Sequence, residues 1–219
     1  MTNAILEMRG ITKTFPGVNA LDNVNLAVRA GEIHAVVGES TLMKVLSGVY
    51  PADSYTGEIW FEGELRRFKG IADSEKLGII IIHQELALVP LLSIAENVFL
   101  GNETAHGGVI DWFEAYARTQ ALLAKVGLKE QPTALITNLG VGKQQLVEIA
   151  KALSLSARIL VMDEPTAALT LLETERLFRV VRSLRERGAA VLFITHRLEE
   201  VFAECQRVTV LRDGGWVSS

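Results

Sequence analysis

Cysteine is nearly absent from this chain. Cys205 is the single one among 219 residues, so no internal disulfide can form, and the sequence fits a reducing compartment. Basic charge is not in excess either: 22 Lys and Arg stand against 26 Asp and Glu, a net charge of −4. Broad electrostatic attachment to nucleic acid needs a basic face, so nucleic acid is not an expected partner. Long apolar runs are missing as well. The run around Gly78–Ile82 is strand-sized, far short of the roughly twenty residues that span a bilayer. Glu7 interrupts the first apolar stretch, so no signal peptide is expected. No internal repeat, low-complexity stretch or flexible interdomain linker is visible. A soluble chain is predicted, whose membrane role would come through a partner.

What is present is ample apolar content. Hydrophobic residues make up 49%, enough for one large domain or a core with a modest inserted subdomain. Residues 4–30 alternate apolar and polar, as in Ala20-Leu21-Asp22-Asn23-Val24-Asn25-Leu26-Ala27-Val28, which predicts antiparallel strands, and 57–63 reads as another strand bounded by turns. Ile33–Val37, Ile159–Met162 and Ala190–Ile194 are continuous and apolar, as parallel strands covered on both faces should be. Helical patterns cover 41–47, 143–154 and 171–187. Residues 94–100, 112–126 and 144–153 also show helical spacing, which predicts a helical subdomain at about 91–150 inserted into an α/β core with an antiparallel annex.

The chemistry gathers at strand ends. The run Arg158-Ile159-Leu160-Val161-Met162 ends in Asp163-Glu164-Pro165-Thr166. A strand that delivers two adjacent carboxylates suits metal-assisted phosphoryl transfer, Asp163 holding Mg²⁺ and Glu164 orienting or deprotonating water; an acidic turn after a core strand is the plain alternative. Ile33-His34-Ala35-Val36-Val37-Gly38-Glu39-Ser40-Thr41 reads as strand, Gly turn and helix opening, where a phosphate loop belongs. The pattern G-x-x-x-x-G-K-[ST] places six residues between its first Gly and its Ser. Here Glu39 alone separates Gly38 from Ser40, so five residues are missing, the second Gly and the Lys among them. Either the sequence as written omits residues that the molecule carries, or the loop is deleted and with it the N–H cradle for phosphate. Gln84, after strand 79–82, can reach a ligand in the crevice at a strand's carboxyl end or lie in a surface loop. His196, after strand 191–194, is either a site residue or a packed or surface histidine.

In this order, these elements resemble the nucleotide-binding domain of ABC transporters, over essentially the whole chain, 1–219. The resemblance implies a P-loop NTPase α/β fold and ATP with Mg²⁺. Phe15 matches an aromatic stacked on adenine. Gly38, Glu39, Ser40 and Thr41 match the ends of the phosphate loop, Ser40 being the Mg²⁺-ligating hydroxyl. Gln84 matches the Q-loop and a Mg²⁺ or water ligand, Asp163 and Glu164 the Walker B pair, and His196 the switch histidine on γ-phosphate. Phe15-Pro16-Gly17-Val18, Ile82-His83-Gln84-Glu85-Leu86, Glu96-Asn97-Val98-Phe99-Leu100-Gly101 and the run 144–153 are similar to bacterial monosaccharide importers, whose ATPase subunits usually hold two such domains. The chain is therefore expected to be an amino-terminal half.

Two departures from the family pattern stand out. Its LSGGQ segment is Leu139-Gly140-Val141-Gly142-Lys143 here, so Gly140 replaces the serine and Lys143 the glutamine. Thr170 stands where an aspartate is usual. The resemblance further implies that ATP is sandwiched between two such domains, Gly140, Gly142 and Lys143 facing the partner's nucleotide, with Glu164 and His196 catalytic. Implied partners are integral membrane permease subunits, a second nucleotide-binding domain and, indirectly, a periplasmic or extracellular sugar-binding protein, at the cytoplasmic face of the membrane. A non-transport ABC protein that remodels a macromolecular target, and a catalytically dead scaffold, are the alternatives.

Overall fold

The computed structural model describes residues 4–38, 40–83, 86–103, 105–106 and 108–218, and the backbone alone at His106. In chain order the strands and helices are β1 Ala4–Phe15, β2 Val18–Arg29, β3 Ile33–Val37, α1 Thr41–Leu46, β4 Thr56–Phe61, β5 Glu64–Arg66, α2 Ile71–Lys76, β6 Ile79–Ile82, α3 Ile94–Phe99, β7 Ala105–His106, β8 Val109–Ile110 and α4 Trp112–Lys125. They continue with α5 Val141–Ser154, β9 Ile159–Asp163, α6 Leu171–Glu186, β10 Ala190–Ile194, α7 Leu198–Glu204, β11 Arg207–Arg212 and β12 Gly215–Ser218. The chain divides into two compact units. The first holds 1–81, 158–164 and 181–219, the second 82–157 and 165–180.

The first unit is built on a ten-stranded sheet in the order β5-β4-β1-β2-β12-β11-β3-β10-β9-β6. Its two characters follow from sequence pattern. β1 and β2 pair antiparallel, and the alternation of β2 buries Leu21, Val24, Leu26 and Val28 while its polar residues face out. β3, β10 and β9 pair parallel, and all their residues are buried except the half-buried last ones of β3 and β9, Val37 and Asp163. The annex expected from the alternating strands is part of the same sheet, joined where β12 meets β2 at Gly215 and Asp22. Register shifts between Met8 and Ile11 and between Ile11 and Lys13 bend β1, as a bulge does. There Gly10 adopts φ +60° and its N–H donates to Asn25 Oδ1 at 3.0 Å. Phe61, Leu6, Met8 and Ile59 fill the core between the sheet and its covering elements, each contributing about 1.5–3 kcal/mol by burial.

The second unit is mainly helical. Ser93 and Glu96 close a reciprocal capping box on α3. Asn97, fully buried, accepts from Val89 N–H at 2.7 Å and donates to the carbonyls of Val89 and Ser93, so the turn before α3 is fixed by one side chain. Asp111 caps α4 through Glu114 N–H. α5 buries Leu146, Val147, Ile149 and Ala150 on its inner face. A two-stranded hairpin, β7–β8, precedes α4; Gly107 and Gly108 mark its turn in the sequence. Among the described residues, no helix is long and apolar enough to cross a membrane.

Candidate functional site

Three adjacent parallel strands, β3, β10 and β9, bring their carboxyl ends to one edge of the sheet. Gly38 and Ser40 follow β3, Thr195 and His196 follow β10, and Asp163 and Glu164 close β9. β6 neighbours β9, and the two enter the sheet together, because Arg158 and Ile159 N–H groups both donate to Gly78 carbonyl oxygen. Edges of this kind gather ligands in open α/β sheets.

The catalytic candidates meet there. Glu164 stands in the left-handed region with φ +46°, an unusual backbone for a non-glycine residue and one that marks functional sites when the surroundings enforce it. Its N–H donates to Ile194 carbonyl at 3.0 Å, which ties the turn after β9 to the end of β10. Its carboxylate Oε1 lies 2.9 Å from His196 Nδ1. The His196 side chain is 73% exposed and that of Glu164 28%, so the pair opens to solvent through the imidazole. Asp163 ends β9 half-buried.

The connection from β3 to α1 consists of Gly38, Glu39 and Ser40. Gly38 has φ +129°, and a Cβ there would collide with Leu211 carbonyl oxygen, so glycine is obligatory. Ser40 precedes α1 with helical dihedrals and no side-chain cap bond, and Thr41 is the first residue of that helix. Three residues cannot wrap a phosphate as an eight-residue loop does. Glu39 and Gln84 lie outside the described residues.

Mg²⁺ takes oxygen donors and is usually held by one or two protein groups, with phosphate and water completing the octahedron. The Asp163 carboxylate and the Ser40 hydroxyl are donors of that kind. The donor set therefore fits Mg²⁺.

Phe15, at the end of β1, is 37% exposed and meets Tyr50 edge-on with centroids 5.5 Å apart. Lys13, buried beside them, places Nζ 5.0 Å from the Phe15 ring and 4.9 Å from that of Tyr50, while donating to Ser54 carbonyl at 2.6 Å. The ring of Phe15 is thus held by a cation and a second aromatic.

In the second unit, Gly140 is the N-cap of α5, which begins at Val141 rather than Lys143. Lys143 Nζ pairs with Glu130 at 2.6 Å, so its charge is matched within the chain. A Cβ on Gly142 would lie 2.5 Å from a Glu173 carboxylate oxygen. Glu173 in turn accepts from Thr170 N–H and Oγ1 at 2.9 and 2.8 Å, which makes Thr170 the start of α6. Sequence reasoning missed Lys13, Tyr50, Glu130 and Glu173. The Thr170-x-x-Glu173 spacing is a capping-box signal that could have found the last; the others carry no local signal.

The ABC transporter family profile matches residues 21–167. The L-arabinose transport ATP-binding protein AraG of Geobacillus stearothermophilus is 58% identical over 219 residues, covering 98% of this chain and 43% of its own length. The xylose import ATP-binding protein XylG of Thermoanaerobacter pseudethanolicus is 54% identical, again over 98% of this chain and 43% of its own. The chain thus spans somewhat under half the length of these curated relatives. The xylose import ATP-binding protein XylG of Geobacillus kaustophilus is 53% identical over 224 residues, covering 100% of this chain and 44% of its own length. Among solved structures, a nucleotide-free ATP-binding cassette from an ABC transporter superposes with TM-score 0.84 at 25% identity, over 98% of this chain and 90% of that one. A dimeric bacterial ABC transporter cassette gives 0.84 at 26%, over 97% of both. With a profile match over well over half its length, and a whole-chain likeness to solved cassettes, the chain belongs to the ABC transporter family.

Proposed function

We propose that the chain is the ATP-binding and ATP-hydrolysing part of a monosaccharide importer, working with Mg²⁺ at the cytoplasmic face of the membrane. The Glu164–His196 pair at the ends of neighbouring parallel strands carries this reading. Glu164 orients and deprotonates the attacking water, and the exposed imidazole of His196 donates to the γ-phosphate as charge builds on it. Mg²⁺, held by Asp163 and Ser40, supplies charge neutralisation on the phosphates when bound. Phe15 stacks on the adenine, and Gln84 links the bound nucleotide to the helical part, about 91–150 of the nucleotide-binding domain 1–219. Gly38, Glu39, Ser40 and Thr41 flank the phosphates. Gly140 and Gly142, at the start of α5, face the nucleotide of a second nucleotide-binding domain; Lys143 orders that segment through Glu130 rather than reaching the phosphate itself.

Exposed Phe113, Val109, Leu100 and Trp112 give the second unit an apolar surface beside a cavity of about 130 Å³. This supports docking on integral membrane permease subunits, which a sugar-binding protein serves from the other side. The names of the relatives favour a pentose or related sugar as cargo. Co-expression with a permease should yield a complex with Mg²⁺-dependent ATP hydrolysis that a sugar-loaded binding protein stimulates; a complex that hydrolyses ATP but ignores every monosaccharide would refute the importer.

One observation favours a second reading, a catalytically dead scaffold: the three-residue connection between β3 and α1 leaves no cradle for phosphate. An ATP-binding measurement on the purified chain decides between them.

A further inference from the structure

Lys13 is only 7% exposed, which is unusual for a lysine, because an ammonium withdrawn from water needs compensation. The hydrogen bond it makes runs to a main-chain carbonyl, that of Ser54 at 2.6 Å, and not to a carboxylate. Its charge also meets π faces: Nζ lies 5.0 Å from the Phe15 ring centroid and 4.9 Å from that of Tyr50. Lys13 and Phe15 stand two residues apart on β1, and so share a face of that strand. Tyr50 comes from the turn after α1, where its N–H donates to the Lys44 carbonyl at 3.1 Å.

With the two ring centroids 5.5 Å apart, the three groups form a nearly equilateral triangle. Lys13 and Tyr50 therefore approach Phe15 from the same side. Because Lys13 is buried, the 37% of Phe15 that meets solvent is left to a ligand on the other side. A cation against one face of an aromatic ring draws π density toward itself and leaves the opposite face less negative. That face then stacks more strongly on an electron-rich ring. We propose that Lys13, together with Tyr50, is a positioning residue for the nucleobase: the pair fixes the Phe15 ring, and the buried cation strengthens the stacking of adenine on its far face. The inference rests on the reading of Phe15 as the adenine platform and accounts for a buried lysine that pairs with no acid side chain by a hydrogen bond.

The test is a double-mutant cycle on ATP binding to the full chain, followed by saturation transfer to adenine H2 and H8, which reads weak as well as tight dissociation constants. Phe15→Ala should weaken ATP about tenfold, the low end for a base stacked on an aromatic ring. Lys13→Met should weaken it about two- to fivefold, the size of one cation–π contact. In the Phe15→Ala chain the same Lys13→Met change should have no effect, because Lys13 acts through the ring; a merely structural lysine would cost the same factor in both backgrounds. Should Lys13→Met fail to fold, Tyr50→Leu decides through the same cycle, with an expected loss of about twofold or more. A loss in Phe15→Ala with none in Lys13→Met, or an equal Lys13→Met loss in both backgrounds, would overturn the proposal and leave Phe15 its role. No loss in Phe15→Ala, or no transfer to adenine in the parent, would overturn the reading of Phe15 and the proposal with it.

Discussion

Inserting a pentapeptide of pattern x-x-x-Gly-Lys between Glu39 and Ser40 should raise ATP affinity by about three decades. The structure fixes both ends of the graft. Gly38 is held against Leu211 at the end of β3 and Ser40 opens α1, so the added residues can arch between two anchored points. They supply a lysine and at least two backbone N–H groups directed at the phosphates. Hydrogen bonds to a charged group contribute about 1.5 kcal/mol each at the low end, so three amount to about 4.5 kcal/mol. At 1.4 kcal/mol per tenfold, that is about three decades in Kd. The assay is titration of ATP, with and without Mg²⁺, into the chain as written and into the insertion variant, after denaturation curves show that both fold. Intact mass comes first: a mass above that of 219 residues by about a pentapeptide means that the molecule already holds the loop, and the comparison is then made by excising it. Micromolar ATP binding by a chain whose mass matches the sequence, or a gain below tenfold on insertion, would refute the reasoning.

Four further outcomes are expected. In the loop-bearing chain, Glu164→Gln should slow hydrolysis by at least a hundredfold, as removal of a general base does, while ATP-dependent dimerisation persists; unchanged turnover removes Glu164 from the mechanism. Burial raises the pKa of Glu148, against the opposing pull of Ala87 N–H and Lys151. Its stabilising share is therefore complete below the ordinary carboxyl value and is lost as pH rises through the raised one. Glu148→Gln keeps the acceptor for Ala87 N–H, so urea denaturation should show it gaining on the parent as pH rises above the ordinary carboxyl value, and a constant difference would count against the assignment. The Cys205 thiol is pushed up to about 12, chiefly by burial and then by Glu204 and Glu200. Iodoacetamide at neutral pH should leave it unmodified in the native chain, where a fast reaction read by mass spectrometry would contradict that environment. Gly38→Ala should cost about 3 kcal/mol or more, since the strained backbone alone accounts for about 1–3 before the clash with Leu211, and a loss below about 1 kcal/mol would show that the turn relaxes.

Legibility followed periodicity. β3 and β10 were readable to the residue because strands buried on both faces must be apolar throughout, and the two Walker-type carboxylates were readable because charge cannot continue such a run. The alternating 20–28 segment announced β2 for the complementary reason. What stayed hidden was short or nonlocal. β5 and α2 are too brief for a period to emerge, and β7–β8 comprises two residues on each side, behind a Gly-Gly that reads as punctuation. The placement of β12 beside β2 is settled by topology, with Gly214 packed against the carbonyls of Asn19 and Ala20; nothing near residue 215 predicts it. The same division runs through the site. Glu164 and His196 are 32 residues apart in sequence and could each be suspected from a strand end, but their pairing is a product of β9 lying beside β10.

The segment 139–143 shows why a departure from a family pattern is not one kind of event. At Gly140 a Cβ would meet nothing within 4 Å, and its dihedrals, φ −64° and ψ 155°, are those of an ordinary N-cap. A serine would fit there and would cap α5 as well as glycine or better, so packing does not enforce the missing hydroxyl. Gly142 is the opposite case. The Glu173 carboxylate lies where its Cβ would go, so a side chain there would have to push that carboxylate off Thr170. Lys143 is a third case, a change compensated locally by Glu130. Packing therefore leaves position 140 open to substitution, whereas a side chain at 142 must displace the Glu173 carboxylate from Thr170.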